Sequence, residues 1–67
     1  MAPATPNAWA TTSRASALRA ALAGYRARRD GDPAGSCPFD ANGDRAARFH
    51  AGYWMKGYRM AALVSPA

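Results

Sequence analysis

Two stretches of helical periodicity flank a segment that has none. From Arg14 to Arg29 the chain contains no proline, and alanine and arginine, both strong helix formers, dominate it. Leu18, Leu22 and Tyr25 recur at i, i+4 and i+7 with Ala15 and Ala21 beside them, a narrow apolar stripe that predicts a helix capped by Thr12 or Ser13. From about Arg45 to Val64, Ala46, Phe49, Tyr53, Gly57, Met60 and Val64 follow three- and four-residue steps. They predict a second helix that starts at Asn42 or Asp44 and is stopped by Ser65-Pro66. The two apolar faces are expected to meet each other. The fold class is therefore all-α, a two-helix hairpin joined by a Gly/Pro-rich connector. Residues 13–64 form its single domain, residues 1–12 a disordered, uncharged N-terminal tail, and residues 65–67 a short C-terminal tail.

The connector carries its own chemistry. Gly31 suits the left-handed position that ends a helix and Pro33 cannot continue one, so the first helix is expected to stop near Asp30. Arg26, Arg28 and Arg29 fall in that last turn, where the negative end of the helix dipole favours cations. Cys37-Pro38-Phe39 reads as an extended corner, since a residue before proline is pushed out of the α region. Asp40-Ala-Asn-Gly-Asp44 supplies turn and cap chemistry; as a calcium loop it lacks the closing bidentate glutamate, and the chain has no Glu at all. Ala21 and Gly24 are small enough to let another backbone approach closely.

Charge narrows the partners. The 67 residues hold nine Lys+Arg against four Asp+Glu, a net charge of +5 and a pI near 10.4. Eight of the nine cations are arginine, whose planar fork suits phosphate better than the point charge of lysine. Beside the apolar face of the second helix, Arg45, Arg48, Gly52, Lys56 and Arg59 repeat the same steps as a basic ridge broken only by glycine. Only Asp44, at the helix start, is a nearby acid, so the ridge is arranged to lie along a phosphate backbone. With Arg26, Arg28 and Arg29 it makes up the candidate RNA-binding set. Trp54 and Tyr58 form a further i, i+4 pair on the other flank, with at least one expected to meet solvent or a partner as a stacking platform. His50 is expected to pack at the edge of the apolar face. One cysteine and one histidine supply neither a disulfide nor a zinc site, so no metal and no cofactor is expected. No apolar run is long enough to span a bilayer, and no secretory signal opens the chain, which together predict a cytoplasmic protein with no membrane partner.

These residues also carry a resemblance. Gly24-Tyr25-x-Ala27-x-x-x-Gly31, then Cys37-Pro38-Phe39 twelve residues after the tyrosine, then Trp54-Met55-Lys56-Gly57-Tyr58-Arg59, resembles the ribosome modulation factor family over roughly residues 20 to 62. In that family the middle element is Cys-Pro-Tyr and the last is Trp-x-x-Gly-Trp followed by Arg, so Phe39 and Tyr58 are departures. Gly24, Tyr25, Gly31, Cys37, Pro38, Phe39 and Gly57 are the residues that carry the motif. The resemblance implies a two-helix protein that binds the small ribosomal subunit, contacts ribosomal RNA near the messenger exit and silences translation during slow growth. Two other readings stand beside it. A relative grouped with the family modifies a fluoroquinolone, which would make the chain an antibiotic phosphotransferase; yet the chain has no phosphate-binding Gly-x-x-x-x-Gly-Lys-Ser/Thr loop, and no enzymatic activity is expected. The other is a generic RNA-binding or dimerisation module, a homodimer formed through the aromatic face or a Cys37 bridge, although Cys37 beside Pro38 is expected to be a buried, unreactive packing residue.

Overall fold

The computed structural model describes residues 11–64, and the chain folds as two helices with a connector between them. Helix α1 spans Arg14–Arg29, a short 3-10 turn spans Ala34–Ser36, and helix α2 spans Arg45–Val64. The fold is all-α, as the periodicity predicts, and both helices have the expected bounds. Of the predicted tails, Thr11 and Thr12 are described and are exposed and non-helical; residues 1–10 and 65–67 lie outside the described residues.

Local chemistry sets each helix end. Ser13 is the N-cap of α1: its hydroxyl accepts from the Ser16 amide at 3.1 Å, while its own amide donates to the Ser16 hydroxyl at 2.9 Å. This reciprocal pair satisfies two of the backbone donors that a helix start leaves unpaired. At the other end Gly31 adopts φ +82, the left-handed position that L side chains resist. The Gly31 amide donates to the Arg28 carbonyl and the Asp32 amide to the Ala27 carbonyl, the two bonds that close a helix through a left-handed residue. The Asp44 carboxylate caps α2 by accepting from the Ala47 amide at 2.8 Å. Asp40 turns the chain just before, accepting from the Asn42 amide at 2.9 Å.

The helices pack side by side and point the same way. Ser16 meets His50 near the start of both helices, Gly24 and Ala21 meet Trp54 and Gly57 further along, and Arg28 and Asp32 meet Tyr58 beyond them. The connector makes this feasible by doubling back. Its start lies at Tyr58, whose hydroxyl donates to the Asp32 carbonyl at 2.7 Å, and its far part returns to the beginning of α2, where the Phe39 ring centre is 5.5 Å from that of His50.

The faces in contact differ from those the apolar stripe predicts. On α1 the buried residues are Ser16, Ala17, Ala20 and Gly24, whereas Leu18 and Leu22 are 63% and 47% exposed. On α2 the buried residues are His50, Ala51, Trp54, Gly57, Tyr58 and Ala61; Phe49 and Tyr53 are only half-buried, and Met60 and Val64 are exposed. The reason is size. A row of small residues on α1, Ser16, Ala20 and Gly24, lies opposite a row of large ones on α2, His50, Trp54 and Tyr58, each at i, i+4, i+8. Large side chains on both rows would hold the helices apart, and a small row lets ridges settle into grooves. Truncating a buried aromatic such as Trp54 to alanine typically costs about 3–5 kcal/mol, so this row carries much of the stability.

Two glycines permit the closest approach. A Cβ on Gly24 would collide with the Trp54 carbonyl, and one on Gly57 with the Ala21 carbonyl. By contrast a Cβ on Gly52, in the same helix as Gly57, would meet nothing. Gly24→Ala is therefore expected to lower unfolding stability by about 1–3 kcal/mol in spite of better helix propensity, because the backbone it strikes cannot move aside alone. Gly52→Ala is expected to raise stability by up to about 1 kcal/mol. Urea unfolding followed by far-ultraviolet circular dichroism measures both, and a stabilised Gly24→Ala protein would contradict this packing. Tyr58→Phe, which removes only the hydroxyl that tethers the connector, is expected to lose about 1 kcal/mol in the same measurement.

Candidate functional site

At 100° per residue, the positions of Arg45, Arg48, Gly52, Lys56 and Arg59 fall on the side of α2 turned away from α1. All five are exposed. The ridge is thus a consequence of the packing: because His50, Trp54 and Tyr58 face inward, these cations face outward. Its length from Arg45 to Arg59 is about 20 Å at the helical rise of 1.5 Å per residue. No acidic residue occurs within α2, and the Asp44 carboxylate at its start is engaged by the Ala47 amide. The positive field along this face is therefore not neutralised from within its own helix.

The second group of candidate cations occupies one end of the molecule. Arg26, Arg28 and Arg29 are exposed in the last turn of α1, and the shared helix direction brings them to the end of the pair where Tyr58 lies. The Arg28 guanidinium sits 5.5 Å from the centre of the Tyr58 ring, a cation–π distance. Asp30 and Asp32 follow immediately in the chain, so this cluster is mixed in sign where the α2 ridge is not. Lys56 is steadied in turn by Tyr53, its ammonium 4.8 Å from the ring centre.

Trp54 and Tyr58 do not form an exposed stacking platform. They are 2% and 9% exposed, with their rings stacked on each other at 5.2 Å between centres. Two bare helices would leave one of them in solvent; the connector supplies the extra cover, as the Tyr58–Asp32 bond shows. The motif residues likewise serve the architecture. Gly24 and Gly57 make the close approach and Gly31 closes α1, while Tyr25 is half-buried at the side of the pair. Cys37 is half-buried with its thiol 3.6 Å from the Phe39 carbonyl oxygen, Pro38 forms the exposed bend, and Phe39 is half-buried near His50.

The buried polar pair Ser16–His50 escapes a reading by apolar stripe. His50 is fully buried rather than at the edge of a face, and its Nε2 lies 2.9 Å from the Ser16 hydroxyl oxygen. That hydroxyl has one hydrogen and two carbonyls in reach, those of Thr11 and Ser13, both at 3.1 Å. In the tautomer protonated at Nε2 the ring donates to this oxygen, whose own hydrogen is then directed to a carbonyl. The signal in the sequence is the spacing of small residues, Ser16, Ala20 and Gly24, against His50, Trp54 and Tyr58. The rings near the imidazole include Phe39 and Phe49, and the Ser16 hydroxyl gives its Nε2 a polar partner inside the helix seam.

Among the described residues no group of three or more His, Cys, Asp or Glu side chains is placed to hold a metal ion. Nor is any helix among them long and apolar enough to cross a membrane. Compared with known proteins, the chain matches no family model, no curated protein and no solved structure.

Proposed function

We propose that this chain is a ribosome-associated, translation-silencing factor that binds RNA of the small subunit through the basic face of α2. The observation that carries the reading is the exposed ridge of Arg45, Arg48, Lys56 and Arg59 on a helix without a single acid, held outward because its opposite face is locked against α1. The resemblance to ribosome modulation factors adds to it, since Gly24, Gly31 and Gly57 of the shared motif each have a backbone reason to be glycine in this fold.

The ridge acts by neutralising phosphates and releasing their counterions, which gives affinity without reading sequence. Base stacking contributes little, because Trp54 and Tyr58 are enclosed. Selectivity then rests on the shape of folded RNA, with Arg26, Arg28 and Arg29 reaching a second stretch of backbone from the end of the pair. The protein silences translation by occupying its site in the cytoplasm and performs no chemistry of its own.

Co-sedimentation with small ribosomal subunits, with free RNA of similar length as competitor, tests the proposal. Saturable association that survives the competitor is the expected result. Association that free RNA abolishes equally would reduce the chain to a generic RNA binder, and no association would remove the ribosome from its function. Changing Arg48, Lys56 and Arg59 together to Gln is expected to weaken binding and to lower the slope of log affinity against log salt by about 2–3, with helicity unchanged. An unaltered slope would take the ridge out of the mechanism.

A further inference from the structure

A second face of the molecule is apolar and open. Two adjoining cavities lie along one side of the helix pair. One, of about 540 Å³, opens between Thr12, Arg14 and Leu18 on one side and Phe49 and Tyr53 on the other. The next, of about 460 Å³, opens between Leu18, Leu22 and Tyr25 on α1 and Tyr53, Lys56 and Met60 on α2. Leu18 and Tyr53 belong to both, so the two form one continuous groove. Its floor includes the Ala21–Gly57 contact, where the backbones come nearest. From Thr12 to Tyr25 it runs about 20 Å, three to four turns of a helix.

The walls include the large apolar side chains that the helix pair did not bury. Leu18, Leu22 and Met60 are 63%, 47% and 56% exposed along this one groove. A contiguous apolar groove of this length is the surface that an amphipathic helix covers, with anchors at i, i+3 or i+4, and i+7.

We propose that the groove binds an amphipathic helix of another protein, one whose apolar stripe is flanked by carboxylates, completing a three-helix bundle. Charge selects this occupant. Arg14 lines the groove near the start of α1 and Lys56 lines it further along, beside Gly57, and neither α1 nor α2 contains an acid. All four aspartates of the chain lie between Asp30 and Asp44. A second copy of the chain would bring another +5 and another basic ridge to these cations with no carboxylate on either helix to meet them. A helix flanked by Glu or Asp pairs with both cations and meets no such repulsion. This partner is separate from RNA: the ridge and the groove are different faces that share only Lys56.

Isothermal titration of the full chain with two synthetic helical peptides of about 16 residues tests the proposal, both carrying the same leucine stripe, one flanked by Glu and one by Lys. The Glu peptide is expected to bind at least ~10-fold more tightly, a difference of about one decade in Kd. Leu22→Gln is expected to weaken it by at least ~10-fold while leaving helicity and RNA binding unchanged, since Leu22 is outside the buried seam. In the double variant Arg14→Glu, Lys56→Glu the preference is expected to reverse. Equal binding of the two peptides, or none, would overturn the proposal whether or not the chain binds ribosomes. So would sedimentation equilibrium showing a dimer that Leu22→Gln dissociates, which would give the groove to a second copy.

Discussion

Each helix presents a glycine to a backbone carbonyl of the other, Gly24 to Trp54 and Gly57 to Ala21, and the rest of the molecule depends on this reciprocal contact. Without Cβ atoms in the way, the helices approach until backbone meets backbone, where weak Cα–H···O contacts add about 0.5–1 kcal/mol each. Close approach brings the small row of α1 within reach of the large row of α2. Trp54 and Tyr58 can then be enclosed by a chain of only 67 residues, in which buried area is otherwise scarce. The Tyr58 hydroxyl reaches the Asp32 carbonyl only because the ring has been drawn inward, so the connector's course follows from the same contact.

Helix bounds were legible because they are set by local chemistry. Ser13, Gly31 and Asp44 act within a turn of their own position, and a sequence shows such neighbours directly. The rotation of each helix was not legible in the same way. Leu18, Leu22 and Tyr25 make the most apolar stripe of α1, yet the partner helix selects the smallest stripe, Ser16, Ala20 and Gly24. Hydrophobicity says what would gain from burial; the size of the opposing side chains decides what fits. The same reason explains His50, which reads as a marginal polar residue until Ser16 is seen to supply its hydrogen bond. The common direction of the helices was hidden as well, because it depends on the connector returning from Tyr58 to His50 rather than on any periodicity.

The basic ridge, by contrast, was legible, and for an instructive reason. Its exposure needs only that α2 bury some other face, and the cations themselves resist burial strongly enough to exclude theirs. A rotation of the core by one position would still have left Arg45, Arg48, Lys56 and Arg59 outside. The apolar positions that were expected inside, Leu18, Leu22, Tyr53 and Met60, did come to a common side of the pair, where they line a groove in place of a core. The periodicity therefore grouped these residues on one side of the pair but misplaced that side as the core.

Charge and stability pull against each other in this chain. Nine cations in 7.1 kDa repel one another in the compact state, and four aspartates concentrated near the connector offset little of that along α2. Added salt screens the repulsion and so stabilises the free fold, yet the same salt would compete for phosphates and weaken the RNA binding proposed above. On the function proposed above, RNA would resolve the conflict by supplying fixed anions where salt supplies mobile ones. Binding of that kind would stabilise the helix pair by the mass-action term and by removing self-repulsion together. The proposed partner is thus also a stabiliser: the helix pair would be ordered most firmly against a polyanion, whose fixed charges offset the repulsion that the glycine seam must otherwise withstand.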